Sequence, residues 1–201
     1  MPKRKPADDR PASDQIRQEL NRVENKRKFK RVLRNTFSVF VSIAAVAVLL
    51  SVFLLPVMRI YGNAMTPTIK EGEIVVSIKT KSPERGDILG FYYNNRILIR
   101  RVIALPGETV DIDTAGNVKI NDRTIAEAYI FQKTLGTCDI EFPFRVPDDA
   151  WFVMGDNRLT SIDSRSTAVG CVTEDQFVGK VFACVWPFGS MRFFDADFIF
   201  V

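Results

Sequence analysis

Hydrophobic and polar positions change rhythm twice along this chain. Over 14–30, Ile16, Leu20 and Val23 recur at helical spacing on a charged background, with Ser13 placed as an N-cap. That pattern predicts a short amphipathic helix. Residues 36–55 then carry no charged side chain, about the 20 residues a helix needs to cross ~30 Å of hydrocarbon. The Ser and Thr side chains within it bond back to helix carbonyls and are compatible with a membrane span. After Pro56 the pattern shortens. Apolar runs at 57–61, 73–78, 87–93, 97–104, 109–112, 118–120, 151–154, 176–186 and 191–194 alternate with turn signals such as Gly62-Asn63, Asn94-Asn95 and Pro106-Gly107. Many short strands at this spacing predict a mainly β, antiparallel domain behind one N-terminal transmembrane helix. Residues 107–150 are richer in turns and less apolar, and are expected to form an inserted sub-lobe.

Charge gives the span a direction. Residues 1–35 hold 12 Lys and Arg against 5 Asp and Glu, a net of +7, whereas the whole chain carries +4. A basic tail on a mildly acidic body fits either a nucleic-acid arm or a membrane-proximal segment. The span that follows selects membrane lipid as the partner and excludes nucleic acid. Lys26, Arg27, Lys28, Lys30, Arg31 and Arg34 precede the apolar stretch, and Arg59 stands nearly alone after it. The positive-inside rule then gives a single-pass plasma-membrane protein. It has a basic cytoplasmic tail (1–35, disordered at 1–13), a transmembrane helix (36–55) and an extracytoplasmic β domain (56–201). A cleavable signal sequence would have a shorter apolar core.

The chain has no His, which excludes Ser-His-Asp triads, Cys-His dyads and imidazole-based zinc sites. No metal and no cofactor are expected. Cys138, Cys171 and Cys184 permit one disulfide in an oxidising compartment. The favoured pairing is Cys138–Cys171 with Cys184 free in a strand core; the alternative is three reduced thiols.

Candidate chemistry is concentrated at 155–165, GDNRLTSIDSR, directly after the apolar run 151–154. A buried strand that runs into a polar loop of this kind is usually a site carried by a scaffold. The segment resembles the GDNRxxSxDSR signature of type I signal peptidases, the membrane serine proteases that remove secretory signal peptides with a Ser/Lys dyad. The resemblance extends over roughly 36–190 and is of the Gram-positive bacterial kind. Residues 62–69, GNAMTPTI, match its G-x-S-M-x-P-T-L segment, except that Ala64 stands at the nucleophilic Ser and Ile69 at Leu. Residues 97–108, ILIRRVIALPGE, match its Y-V-K-R-V-I-G-L-P-G-D run, with Arg100 at the catalytic Lys. Residues 85–91, RGDILGF, match a scaffold strand.

The resemblance also implies roles. Gly62 and the backbone N–H of Ala64 would line an oxyanion hole. The edges at Ile60, Ile97 and Ile99 would accept an extended peptide ending in small residues of Ala-x-Ala type. Ser161 would orient the general base at 100, and Asp163 would pair with Arg165. Asp156 is expected to pair with Arg101 because their motifs lie close together. A methyl group cannot attack a carbonyl, and an Arg stays protonated where the dyad needs a neutral amine. Two readings follow. In one, the chain is a pseudoenzyme that binds signal peptides or surface-protein precursors, working beside an active signal peptidase or assembly machinery. In the other, it is a true signal peptidase carrying engineered inactivating changes at 64 and 100.

Overall fold

A computed structural model describes residues 13–80, 82–194 and 199–200. The expected tail at 1–13 lies outside them except for Ser13. One helix, α1 (Ser13–Leu54), runs for 42 residues. The sequence reading expected two elements, at 14–30 and 36–55, and the structure joins them. The reason is local: no Gly or Pro occurs between Ser13 and Leu55, and Pro56 disfavours helical backbone at the residue before it. Lys28–Leu49 is long and apolar enough to cross a membrane, and none of its described side chains is buried.

The rest is antiparallel β. Its strands are β1 (Val57–Arg59), β2 (Ile74–Ile78), β3 (Ile88–Tyr93), β4 (Arg96–Ala104), β5 (Thr109–Ile112), β6 (Val118–Ile120) and β7 (Arg123–Ala126). They continue with β8 (Phe144–Arg145), β9 (Ala150–Met154), β10 (Val172–Thr173), β11 (Phe177–Trp186), β12 (Arg192–Phe193) and β13 (Ile199–Phe200). One sheet has the order β1-β2-β11-β3-β4-β9-β10, with β12 on β11; a second has the order β13-β7-β6-β5-β8. Residues 109–145 therefore supply four strands of the second sheet. Val110, Ile120 and Ile125 from that sheet share a core with Ile103, Phe152 and Met154 of β4 and β9. The segment expected as an inserted sub-lobe packs its apolar face on the main sheet.

β3 and β4 are joined by the two-residue turn Asn94-Asn95, with φ of 43° and 63°. That left-handed pair matches the strand twist and fixes the register of the hairpin. In β3, Ile88 packs into a core with Met65, Ile69 and Val75, while Leu89 and Phe91 turn to the opposite face, against Val102 and Val153. β3 and β4 are central and covered on both faces, which is why their apolar runs are nearly continuous.

The expected Cys138–Cys171 bridge is not formed: all three cysteines are free. Cys171 packs against the core beneath the second sheet, whereas the Cys138 thiol faces the Ile140 carbonyl at 3.5 Å. Cys184 is buried among β1, β2 and β11 residues. Burial pushes the Cys171 thiol up to about 11, so its thiolate is scarce at neutral pH and its reactivity low. Alkylation of denatured, unreduced protein should therefore add three labels by intact mass. In the native protein, labelling of Cys171 should be slow and accelerate toward pH 11. A single label would show that two thiols are bridged.

Candidate active site

Three segments converge. β1 leads into the turn that carries Gly62 and Ala64, β4 carries Arg100 and Arg101, and β9 runs directly into the 155–165 loop. The first turn is anchored from below by Met65 and Ile69, both buried, and closed by the Ile69 N–H donating to the Met65 carbonyl at 2.9 Å. Gly62 takes a left-handed φ of 82°, which a side chain would disfavour. The Ala64 carbonyl accepts the Asn157 N–H at 2.9 Å, and the Asn157 side-chain amide reaches the Asn63 carbonyl at 3.3 Å. Gly155 makes this approach possible. A Cβ there would lie 2.6 Å from the Ala64 oxygen and 2.4 Å from the Ser161 Cβ.

The loop is held by buried ion pairs. Arg101 grips Asp156 with two bonds, Nε to Oδ1 at 2.9 Å and Nη2 to Oδ2 at 2.6 Å. Its Nη1 donates to the Gly86 carbonyl, and its guanidinium lies 4.2 Å from the Tyr129 ring centre. Arg165 grips Asp163 at 2.8 Å through both Nε and Nη2. Asp163 also accepts the Gly155 N–H at 2.9 Å and the Ser161 hydroxyl at 2.7 Å. A third pair joins Arg158 to Glu127, both fully buried side chains. Sequence reasoning missed Glu127. The loop motif contained the arginine, but its partner comes from the turn-rich 107–150 segment, where nothing in the local pattern distinguishes one carboxylate from another.

Arg100 is only 7% exposed. Its Nε and Nη2 donate to the Ile162 carbonyl at 3.1 and 2.8 Å, and its Nη1 to the Ile99 carbonyl at 2.6 Å. Burial lowers its pKa; Asp163 partly opposes this and Arg165 adds to it. It remains a cation at neutral pH. The role expected for Ser161, orienting the group at 100, does not match its contacts. Its hydroxyl donates to Asp163 and accepts from Arg165 Nη2 at 2.8 Å, and the guanidinium reaches past it to the loop backbone. A base amine is shorter and carries fewer donors than this fork, which explains why the bond cannot simply be transferred from one residue type to the other.

Ala64, Gly62, Ile60, Ile97, Ile99 and Arg100 all line one cleft of about 120 Å³. Ile60 contributes its side chain only, since its backbone N–H and C=O are bonded to Glu73 and Gly72. Antiparallel alternation turns the backbone groups of Arg59 and Tyr61 outward instead. On the far wall, pairing of β4 with β9 begins at Arg101, so the preceding residues present an open strand edge. The cleft therefore has two half-free strand edges, an apolar floor and a cation. Such edges can take an extended peptide as an added strand. Among the described residues, no group of three or more His, Cys, Asp or Glu is arranged to hold a metal.

Residues 33–186 match the family described as signal peptidase, peptidase S26. The chain is 33% identical over 182 residues to signal peptidase I U of Bacillus subtilis, covering 85% of this chain and 95% of that protein. It is 32% identical over 176 residues to signal peptidase IB of Staphylococcus aureus, covering 76% of this chain and 91% of that protein. A solved signal peptidase I from Enterococcus faecalis is 31% identical and covers 51% of this chain and 98% of that one, at a TM-score of 0.41.

The Asp163–Arg165 pair should dominate local stability. Burial by itself would raise the Asp163 pKa, but the hydrogen bonds and charge of Arg165, with the Gly155 N–H and Ser161 hydroxyl, hold it below the ordinary value. Asp163→Asn leaves Arg165 buried and unpaired, which should cost about 3–5 kcal/mol in chemical denaturation. Because the folded pKa is depressed, the carboxylate's contribution is present above the unfolded value of about 3.9 and is lost as pH falls through the lower folded value. Melting temperature should therefore drop more steeply below pH 4 in the parent than in the Asn variant.

Proposed function

This chain belongs to the S26 signal peptidase family, and from that premise we propose that it holds signal peptides or surface-protein precursors without cutting them. The observation that carries the reading is the pair of residues in one cleft: a methyl group at Ala64, where the family has its nucleophile, and a permanently protonated Arg100, where it has its base. Neither half of acyl transfer can proceed, because no atom attacks and no neutral amine takes the proton. The binding parts persist: the open strand edges, the apolar floor at Ile60, Ile97 and Ile99, and the N–H of Ala64. A hole that stabilises a carbonyl oxygen binds peptide whether or not a nucleophile stands beside it.

In this reading α1 anchors the protein in the plasma membrane, with the basic N-terminal segment in the cytoplasm and the β domain outside. The substrate class is shared with catalytically active relatives, so the protein works beside an active signal peptidase or an assembly machinery that supplies the same precursors. Among the aromatic side chains suited to membrane contact, Phe188 and Phe193 are 73% and 84% exposed. Phe142 and Phe144 instead pack partly against the core beneath the second sheet. The membrane-facing set is therefore Phe188 and Phe193, joined by Trp186, whose ring meets Phe188 edge-on at 4.9 Å.

The second reading, a signal peptidase with inactivating changes, is favoured by the loop, because Asp156, Ser161, Asp163 and Arg165 form a complete and satisfied network. One experiment separates the two. The protein as it stands should cleave a signal-peptide substrate roughly 10⁶-fold more slowly than an active relative, the loss typical of a dismantled catalytic unit, while still binding that substrate. If Ala64→Ser with Arg100→Lys restores turnover and either change alone does not, the inactivated-enzyme reading gains. A folded double variant that stays inert supports the pseudoenzyme. Turnover by the unmodified chain, persisting after removal of contaminating protease, would sink the proposal.

A further inference from the structure

Each buried carboxylate among the described residues has its own cation. Glu73 pairs with Arg192, Asp87 with Lys180, Glu127 with Arg158, Asp156 with Arg101 and Asp163 with Arg165. Arg100 is equally buried, yet its bonds go only to the Ile162 and Ile99 carbonyls, and no carboxylate among the described residues reaches it. A guanidinium carries five N–H donors. Three are used, which leaves one on each terminal nitrogen. Asp163 and Asp156 offset the charge of Arg100 only from a distance, a buried cation with no direct ion pair is unfavourable, and two adjacent donors match the two oxygens of a carboxylate.

The surroundings specify which carboxylate. Arg100 lines the same small cleft as Ala64. The other charged residue lining it is Arg59, so the wall carries cations and no acid. The Ala64 N–H has no acceptor among the described residues. In members of this family that cut, position 64 is where the scissile carbonyl is attacked. After cleavage that carbonyl is the terminal carboxylate of the released peptide. Here the same point in space faces a cation and a free N–H. A cleft of about 120 Å³, the share of roughly four waters, suits a small terminal side chain.

We propose that Arg100 is a receptor for the terminal carboxylate of a peptide ending in a small residue, so that the cleft prefers released peptides to uncut precursors. This rests on the reading that the cleft takes an extended peptide, and it adds which form of the peptide is held. The protein then senses or retains the product of a signal peptidase rather than competing for its substrate. The substitution of Lys by Arg at 100 does more than remove a base. It places a fork-shaped, permanently charged group where a cut chain carries its new charge.

The test uses full-length protein in nanodiscs and fluorescence anisotropy with three labelled peptides of one sequence ending Ala-x-Ala. One is a free acid, one a C-terminal amide, and one continues for a few residues beyond the last Ala. The free acid should bind about ten- to a hundredfold more tightly than the other two, the range expected for hydrogen bonds to a charged group. Arg100→Gln should erase the difference, the readout being the ratio of acid to amide affinity within the same variant. Because Arg100 has no carboxylate partner, that variant strands no buried anion, and a melting curve checks its fold. Equal binding of acid and amide by the unmodified chain overturns the carboxylate site and leaves peptide binding standing. An acid preference that survives Arg100→Gln in a folded protein also overturns it. Failure of all three peptides to bind sinks the peptide-binding reading itself, and this inference with it.

Discussion

Asp163 receives five hydrogen bonds in a space closed to solvent, from the Gly155 and Arg165 backbone, the Ser161 hydroxyl and two nitrogens of the Arg165 guanidinium. That one carboxylate ties the first residue of the loop to its last. Without it, an eleven-residue polar segment would be an irregular surface excursion. With it, the loop is a rigid wall whose Asn157 N–H fixes the Ala64 carbonyl and whose Ile162 carbonyl fixes Arg100. The geometry of the cleft is therefore inherited from a pair of charges that do not themselves line it.

The surrounding sheet supplies stiffness. β4 is paired to β3 along its first six residues and to β9 from Arg101 onward, so one strand is both a cleft edge and a core element. The change of role falls between Arg100 and Arg101. Below it, the second sheet buries its apolar face on β4 and β9 and contributes Glu127, which neutralises Arg158 under the loop. A segment that looked peripheral thus provides one of the three ion pairs on which the loop rests.

Much of this was legible in the sequence. The nine strands expected after residue 56 all occur, because their apolar runs and Gly or Asn turns are strong local signals. Four further strands were missed. β8, β10 and β13 have two residues each and exist only through their partners. β7 follows Asn121-Asp122, whose φ values of 48° and 65° make the same kind of turn as Asn94-Asn95, so a left-handed Asn-Asp pair was an available signal. The helix runs unbroken through the change from charged to apolar composition, because no Gly or Pro interrupts its backbone there. The disulfide failed for a different reason. Counting cysteines sets a possibility, whereas bridging requires two Cβ atoms to face each other. Ser161 shows the limit of reading roles by position: its hydroxyl bonds to the Asp163–Arg165 pair rather than to the group at 100.

Arg100 and Arg101 are chemically identical neighbours with opposite fates, one facing an empty wall and the other locked to an aspartate. What separates them is parity. Alternate residues of a strand point to opposite sides, and a slip of one position would put each arginine on the opposite face of the sheet. The two-residue Asn94-Asn95 turn sets that parity from a distance of five residues. Inserting a single amino acid into this turn would keep every side chain of the cleft in the sequence and yet carry Arg100 to the position that faces Asp156 and put Ile99 in its place. The site is thus encoded by counting as much as by composition, and a loop far from any chemistry acts as its frame.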